Sequence, residues 1–429
     1  MKKSKILVAI LLAAVMVFSV VSMVACNENE SRIELLMWVP SNAQTFYKKW
    51  AEKWAENYTD SQGRQFKVKM GVMGEGLAGT EVMNAPEDAA DVFCFADDQV
   101  PKLVGAGALA SLGKPETSNA AKTIAERNSA GSVAAATYNG QLYAYPMQAD
   151  NGYFLYYNSD VLTTKDIASW ESLFAKLATV NGDKTGADRV KAQWSYGEAW
   201  YQASFFYTFG GTVSLTDTNF DSAEVGIKAL KAAHWMSSQQ DIIMVAPDNA
   251  TEGLADGTIV AAVAGSWIYE SVSKNDKIKL AVLPSITVDG DTKPMKAFLG
   301  SKLMGVNGQG KYQEAAHSLA NYLTNEEVQT DKITALSAGP SNINAAASDT
   351  AQALPTLAAL SAQSANSVPQ SNLPDGFFDA LPTCVNAMNN TDPSTISAYY
   401  DATTGEYNTT AMQSLLDAMR IAFKLAAAN

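Results

Sequence analysis

Residues Tyr138–Leu162, near the middle of the first half of the chain's folded part, read YNGQLYAYPMQADNGYFLYYNSDVL. Asn139-Gly140 is typical of a tight turn, because both residue types tolerate a positive φ. The turn leads into a short apolar strand, residues 141–145, which ends before Pro146 because proline cannot donate to a strand ladder. A polar break then separates it from a second strand, residues 153–157. Two strands joined by a polar break in mid-chain predict a crossover between two lobes.

Length and composition are consistent with a chain that builds two lobes with full cores. The sequence has 429 residues, of which 47% are hydrophobic and 17% are charged, an ordinary globular composition. The formal net charge of −13 would repel phosphate backbones, so we expect no nucleic-acid partner. Only two histidines are present, His234 and His317, which leaves little for histidine acid–base chemistry or a zinc site. We therefore expect no bound metal.

The N-terminus predicts export. Three lysines within the first five residues precede an uncharged apolar run, which is typical of a secretion leader at residues 1–25. The run closes with Met23-Val24-Ala25-Cys26, and residues 26–32 form a polar tether. This pattern resembles a bacterial lipobox with Met23 in place of the usual leucine, and it implies a lipid on Cys26. The alternatives are an uncleaved membrane anchor, since the run is long enough to span a bilayer, and ordinary signal cleavage.

The other two cysteines, Cys94 and Cys384, both lie within apolar runs. This setting favours two buried thiols, because free cysteine behaves as a small hydrophobic residue. A disulfide between them is the alternative in an exported protein, and a single sequence leaves it open.

Two glycine motifs match nucleotide-binding fingerprints but lack the required context. Residues 74–79 match GxGxxG, yet Pro86 interrupts the segment in which a crossover helix would have to follow. Residues 305–311 match GxxxxGK, but Tyr312 stands where a Ser or Thr would bind magnesium. We therefore expect no nucleotide cofactor, and we interpret residues 74–79 as a flexible loop that carries Glu75.

Aromatic residues recur every four positions after the first predicted strand, residues 33–39. They are Phe46, Trp50, Trp54 and Tyr58. This spacing places them on one face of a helix, and such a stripe is usually core. The loop before the helix, residues 40–44, lies at the carboxyl end of a strand, where open α/β sheets bind ligands. Asn42 in this loop is therefore a candidate ligand contact.

Several motifs spaced along the chain share one likeness. They are the Pro146 turn with the following Tyr-Tyr-Asn-x-Asp, the segment 91–99, residues 196–201 before a Gly-Gly pair, and residues 265–269 at the end of a strand. Together they resemble the sugar-binding extracellular solute-binding proteins of ABC importers, with the maltodextrin-binding branch nearest. The resemblance covers residues 32–429 as separate motifs rather than as continuous identity.

The resemblance implies an α/β fold of the two-lobed periplasmic-binding-protein class (type II) with three interlobe crossovers. Lobe 1 would comprise residues 33–147 plus 298–350. Lobe 2 would comprise residues 148–297 plus 351–429. A cleft between the lobes would close on a ligand.

The resemblance also implies which side chains contact that ligand. Phe95 would line the cleft, and Asp98 would accept hydrogen bonds from sugar hydroxyls. Gln99 stands where the best-known maltodextrin binder has an arginine. Read from the residues alone, Asp98 is equally well an acid favoured at a helix N-terminus. The remaining implied contacts are Asn42, Glu75, Asp150, Glu198, Trp200, Tyr201, Trp267, Tyr269, and Phe377 or Phe378.

These residue types suit a neutral sugar, because aromatic rings stack on its apolar face and carboxylates bind its rim of hydroxyls. The implied function is capture of oligosaccharides, malto-oligosaccharides first, and their delivery to the permease subunits of an ABC importer. The protein would be a monomer, not an enzyme, held by its lipid on the extracytoplasmic face of the cell membrane. Xylo-, fructo- and galacto-oligosaccharides would use the same types of residue.

Two alternatives belong to other functional classes. Glu75, Asp98 and Glu198 near aromatic residues are also what a glycoside hydrolase would carry. A surface glycan-capture protein that serves no transporter is the second alternative.

Overall fold

The structure, a computed structural model, describes residues 32–245, 250–371, 373–374, 376–389 and 393–425. The predicted leader, the proposed lipid site at Cys26 and the tether up to residue 31 lie outside the described residues. Within these ranges, no helix combines the length and the apolar character that are needed to cross a lipid bilayer.

The strands fall mainly into two large sheets. In chain order they are β1 (Ile33–Val39), β2 (Phe66–Val72), β3 (Val92–Ala96), β4 (Thr137–Tyr138), β5 (Gln141–Leu142), β6 (Ala144–Gly152), β7 (Phe154–Asn158), β8 (Lys191–Gln193), β9 (Ile242–Ile243), β10 (Ile259–Ala264), β11 (Ile278–Ala281), β12 (Ser285–Val288), β13 (Asp291–Pro294), β14 (Ala297–Val306), β15 (Ser367–Pro369), β16 (Tyr400–Asp401) and β17 (Glu406–Tyr407). The first sheet has the order β15-β14-β3-β1-β2, and β6 also pairs with β14. The second sheet has the order β11-β7-β10-β8-β9.

Helices flank both sheets. They span Gln44–Asn57, Glu75–Asn84, Val100–Gly105, Asn119–Arg127, Ala130–Ala135, Trp170–Asn181, Ala199–Thr208, Lys228–Ser237, Ala250–Asp256, Tyr269–Val272, Gln313–Leu323, Glu326–Leu336, Ile343–Ala346, Asp349–Gln352, Pro355–Ser364, Phe377–Asn386, Pro393–Ile396 and Thr409–Ala422. Short 3-10 turns at Ser41–Ala43, Asp97–Gln99, Gly186–Asp188 and Ser266–Ile268, and a π-helical turn at Ala223–Ile227, complete the helical set.

The first lobe is built around the first sheet. β1 pairs in parallel with β2 and with β3, whereas β14 runs antiparallel to β3 and β6. The helix Gln44–Asn57 buries Phe46, Trp50 and Trp54 in this core, which confirms that the aromatic stripe is structural. Tyr58 follows the helix and stacks on Trp54, with ring centroids 4.6 Å apart.

The second lobe is built around the second sheet and has its own aromatic core. Trp170 and Trp194 are fully buried and meet edge to face, with ring centroids 5.8 Å apart. The helix Ala199–Thr208 is buried over its whole length except at Trp200. A helix that is apolar on all sides in this way belongs in a core.

The chain passes between the sheets where the sequence predicts a crossover. β6 pairs in the first sheet and β7, two residues later, pairs in the second. β11 and β14 make the return passage, and β15 precedes the third passage to the helix Phe377–Asn386. β6 extends past residue 147 and β15 lies beyond residue 350, so we propose that the lobe boundaries fall at the ends of these two strands.

The two described cysteines are free thiols in different cores. Cys94 lies in the first lobe and Cys384 in the second, and both are buried. Burial raises the pKa of each thiol to about 12. The prediction of two buried thiols is confirmed, and the alternative disulfide does not form.

Candidate functional site

A cleft of about 1260 Å³ opens between the two sheets. Residues from both lobes line it, as do residues of β14 and of the segment after β15. Among the predicted contacts, it is lined by Asn42, Glu75, Asp98, Gln99, Glu198, Trp200, Trp267 and Phe378. Phe95, Asp150, Tyr201, Tyr269 and Phe377 are not part of this lining.

The second lobe presents aromatic rings to the cleft. Trp200 stands at the start of the helix Ala199–Thr208, and Trp267 lies in the turn that follows β10. Their ring centroids are 5.8 Å apart and both side chains are half-buried, so each keeps part of its ring exposed to the cleft. Glu198, one residue before this helix, is exposed beside them.

Neighbouring residues on these helices point the other way, so the predicted contact at Tyr201 is wrong and, of the alternatives Phe377 and Phe378, the first is excluded. Tyr201 is buried at 4.8 Å from Tyr153, and Phe377 is buried at 5.4 Å from Phe423, both between ring centroids. Consecutive helical residues lie about 100° apart, so a ring next to a cleft-facing residue turns into the core. Phe378, which is 40% exposed, is the member of its pair that lines the cleft.

Phe95 is also not a cleft residue. Its ring is fully buried and lies 5.3 Å from the ring of Phe93. β3 is an inner strand with neighbours on both sides, and both of its faces are covered, so it reads as a continuous apolar run. The cleft therefore begins only after β3 ends, at the turn Asp97–Gln99.

Asp150 lies inside the first crossover rather than in the cleft. Its carboxylate is buried and accepts hydrogen bonds from Gln148 Nε2 (2.9 Å), Ser266 Oγ (2.9 Å) and the backbone N–H of Gly339 (2.6 Å). These donors engage both oxygens of the carboxylate. The bond from Ser266 connects the crossover to the turn that carries Trp267. The predicted ligand contact at Asp150 is thus a structural tie.

Tyr269 begins the helix Tyr269–Val272, just after the turn that carries Trp267. It is half-buried and packs against the small cluster around Phe154 and Tyr156. Trp267 therefore faces the cleft while Tyr269 supports the turn from behind.

On the first-lobe wall, Glu75 pairs with Lys302, with 2.8 Å between their charged atoms. Burial opposes the charge on Lys302, but Glu75 and Asp150 outweigh it and the pKa of Lys302 is raised. Lys302 Nζ also lies 5.8 Å from the Trp267 ring centroid. We did not predict Lys302; its signal in the sequence was one lysine within the otherwise apolar strand β14.

Residues 74–79 do not form the predicted flexible loop. Glu75 begins the helix Glu75–Asn84, and the Gln99 side chain binds that helix through Nε2 to the Glu75 carbonyl (2.8 Å) and Oε1 to the Gly79 N–H (3.1 Å). A Cβ on Gly79 would collide with the Gln99 amide. The glycine therefore serves close packing, and Gln99 holds the helix that carries Glu75.

Two neighbouring acids form the turn after β3. Burial raises the pKa of Asp97 to about 7, against a lowering contribution from its hydrogen bond with Gln370. Burial, followed by the charge of Asp97, raises the pKa of Asp98 to about 8. Asp98 lines the cleft, whereas Asp97 is buried behind it.

Asn42 is exposed in the turn after β1, at the strand end where it was predicted. Asn151 of β6 and Gln370, which follows β15, also line the cleft, although neither was predicted. Gln370 had no signal in the sequence, because its position depends on how the third crossover lies between the lobes. Within the described residues, no group of three His, Cys, Asp or Glu side chains could hold a metal ion.

In chemical terms the cleft offers flat apolar rings on one wall and charged or amide hydrogen-bonding groups on the other. This combination suits a ligand that has apolar faces and a rim of hydroxyls.

Comparisons with known proteins also find proteins that bind solutes. A family model described as bacterial extracellular solute-binding protein matches residues 53–359. The galactooligosaccharide-binding protein of Bacillus subtilis (strain 168) is 26% identical over 254 residues, which are 55% of this chain and 56% of that protein. The alignment thus spans about half the length of that relative.

Solved structures share the fold over nearly the whole chain. A structure of a protein with acarbose has 25% identity and a TM-score of 0.76, covering 91% of this chain and 98% of that chain. The maltodextrin-binding protein of L. casei BL23 without ligand has 24% identity and a TM-score of 0.71, covering 92% and 100%. The mixed α/β, two-lobed architecture is therefore shared with binding proteins of this type.

Proposed function

The chain belongs to the family of bacterial extracellular solute-binding proteins, and from this premise we propose that it captures oligosaccharides in its interlobe cleft. It then delivers them to the transmembrane subunits of an ABC importer. The ligand would gain contacts with both lobes when the cleft closes, and those extra contacts would favour the closed state.

One observation carries the proposal: Trp200 and Trp267 stand 5.8 Å apart on one wall of a cleft whose other wall holds Glu75, Asp98 and Lys302. Rings on one side and hydrogen-bonding groups on the other match the two kinds of surface on a pyranose. Asn42, Gln99, Glu198 and Phe378 extend these walls and complete the proposed ligand site.

Malto-oligosaccharides are the first choice of ligand, and galacto-oligosaccharides are the second. The names of the similar proteins support both, and all such sugars would use the same side chains. A thermal-shift screen of residues 32–429 against maltotriose, a galacto-oligosaccharide and a xylo-oligosaccharide would separate them. If no oligosaccharide of the panel raises the melting temperature, the proposal fails.

The aromatic wall provides the sharpest mutational test. A stacked ring contributes about 0.5–1.5 kcal/mol beyond the apolar area that it buries, so Trp267→Ala should weaken binding of the best ligand about tenfold or more. Trp235→Ala is the control, because Trp235 is also half-buried but lies outside the cleft lining. Calorimetry that found equal affinity for Trp267→Ala and the parent would reject the role of this ring.

A glycoside hydrolase is the competing function. The structure commits Glu75 to Lys302, which leaves it poorly placed to exchange a proton with a substrate. We propose that the protein binds sugars without cleaving them. Consumption of the bound oligosaccharide by purified protein over hours would reverse this conclusion.

Lipid attachment at Cys26 and action as a monomer complete the proposal. Anchoring would keep the cleft next to the importer on the outer side of the membrane. Cys26→Ser should release the protein from the membrane fraction, and size-exclusion chromatography should give the mass of one chain. Membrane retention of the variant, or a dimer, would contradict these two points.

A further inference from the structure

The side chain of Gln370 connects Trp200, in the second-lobe wall of the cleft, to the first lobe. It follows β15 in the third crossover and is only 1% exposed. Its Oε1 accepts a hydrogen bond from Nε1 of Trp200 in the second lobe at 2.8 Å. Its Nε2 donates to Oδ1 of Asp97 in the first lobe.

The Trp200 ring contacts all three passages between the lobes. It meets Tyr153, between β6 and β7, edge to face with centroids 4.8 Å apart. It lies nearly parallel to Phe298 of β14, with centroids 6.4 Å apart and planes 14° apart. Gln370 supplies the third contact. A ring held in this way cannot tilt without disturbing the segments about which the lobes would move.

The space around Gln370 is fitted to its amide. Gly300 of β14 faces it, and a Cβ on Gly300 would collide with the Gln370 side chain and come within 2.7 Å of Asp97 Oδ1. Glycine at this position allows the amide to lie between the strand and the acid. The bridge is therefore a packed feature of the fold rather than a surface contact.

We propose that Gln370 is a positioning residue for ligand binding, which fixes the plane of the Trp200 ring and links it to Asp97 of the first lobe, behind the cleft wall. This inference rests on the proposed function. A ligand that stacks on Trp200 contacts a ring that is connected to the first lobe through Gln370. Stacking of the ligand on this ring is therefore coupled to closure of the lobes.

The chemistry of this position selects glutamine. The indole N–H needs an acceptor and the Asp97 carboxylate needs a donor, and an amide offers one of each. Methionine, of similar shape, would offer neither. Glutamate would keep the acceptor but would place a second carboxyl group beside Asp97.

The first test is a double-mutant cycle with Gln370→Met and Trp200→Phe. Trp200→Phe keeps an aromatic face but removes the N–H that Gln370 accepts. Gln370→Met should weaken oligosaccharide binding about tenfold in the parent and less than threefold in the Trp200→Phe background. Equal losses in both backgrounds would overturn the inference.

The second test exchanges the amide at position 370 and the carboxylate at position 97. It tests the bridge independently if Gln370→Met does not fold. Gln370→Glu alone should weaken binding, because two carboxyl groups then face each other. Adding Asp97→Asn supplies an amide that donates to the new glutamate, and affinity should return to within about threefold of the parent. If the second substitution restores nothing, Gln370 does not act through this bridge.

The readouts separate positioning from stability and from the proposed function itself. The control Gln313→Met removes a half-buried glutamine that bonds the backbone at Asn307 and Gly310 and is not part of the cleft lining, so it should leave affinity unchanged. Small-angle scattering should show less ligand-induced compaction in Gln370→Met than in the parent. A parent that binds no oligosaccharide would refute the proposed function, whereas variants with parental affinity and compaction would refute only the role of Gln370.

Discussion

The two walls of the cleft are built in opposite ways. On the first-lobe wall the polar groups are already engaged: Glu75 pairs with Lys302, and both ends of the Gln99 amide bind backbone. On the second-lobe wall, Trp267 keeps part of its ring surface exposed to the cleft, and Phe378 is 40% exposed. The first wall is thus preorganised by its own ion pair and hydrogen bonds, whereas the second retains apolar surface that is exposed to solvent.

The two walls should therefore contribute differently to ligand binding. Desolvating exposed rings yields free energy in proportion to the apolar area covered, so the second wall should supply affinity. Paired charges held in place cost little further ordering when a ligand arrives, so the first wall should supply orientation and selectivity.

The largest effect should come from two adjacent rings of the helix Phe377–Asn386, one in the core and one in the second wall. Phe377→Ala removes a fully buried ring and should lower the free energy of unfolding by about 3–5 kcal/mol. Phe378→Ala removes an exposed ring at the cleft, so it should change stability by less than about 0.5 kcal/mol and weaken ligand binding instead. Denaturant titration and calorimetry on both variants measure the two quantities. Equal stability losses would show that the rings are not divided between core and cleft.

A smaller effect is expected when the ion pair of the first wall is broken. Glu75→Gln leaves the partly buried Lys302 ammonium without its partner and should lower the free energy of unfolding by about 1–3 kcal/mol. Adding Lys302→Met removes the stranded charge, and most of the loss should be recovered. The melting temperatures of the single and double variants test this. A single variant as stable as the parent would mean that the wall is not held together by this pair.

The smallest effect concerns Asp98. Burial raises its pKa to about 8, so the folded chain keeps a proton that the unfolded chain has lost above about pH 4. Ionisation of Asp98 therefore opposes folding, and the free energy of unfolding falls as pH rises between these two values. A group that is protonated only in the folded chain contributes about 1.4 kcal/mol per pH unit to this fall, so Asp98→Asn should make it shallower by about 1 kcal/mol per pH unit. Unfolding titrations at pH 5 and pH 7.5 on the parent and on the variant measure how far the free energy of unfolding falls in each. An equal fall in both proteins would mean that the Asp98 carboxylate is solvated by water and is not buried.

The crossover and the two-lobed architecture could be predicted from the sequence because their signals are local. The turn pair Asn139-Gly140 and the apolar strand β7 mark this crossover, and strand ends carry recognisable residue patterns. The predicted strand end before Pro146 is wrong, because β6 runs through the proline and the polar residues after it to Gly152. Proline is tolerated there because, among the described strands, β6 pairs only with β14 and the register shifts beside it. The aromatic stripe of the helix Gln44–Asn57 was likewise readable from its four-residue spacing. Periodicity tells which side of an element is buried, and it did so correctly here.

The cleft was only partly predictable, because cleft and core use the same aromatic residues. Spacing could not tell Phe378 from Phe377, since the orientation of the helix is fixed by its packing against other elements. Phe95 and Asp150 were placed in the cleft because of family resemblance, yet the inner position of β3 and the donors around Asp150 bury both. Lys302 and Gln370 reach the cleft only through the arrangement of the crossovers, which no single segment encodes.

Cys94 lies in one core and Cys384 in the other, so each lobe carries one thiol whose rate of modification reports when that lobe unfolds. Neither thiolate forms readily while its lobe is folded, because burial raises both pKa values to about 12 and shields both sulfurs. In a chain shortened to start at Arg32, a thiol-reactive reagent would modify each cysteine only when the surrounding lobe unfolds. Peptide mapping of the modified sites over time would thus reveal whether the two lobes lose their structure together or one after the other.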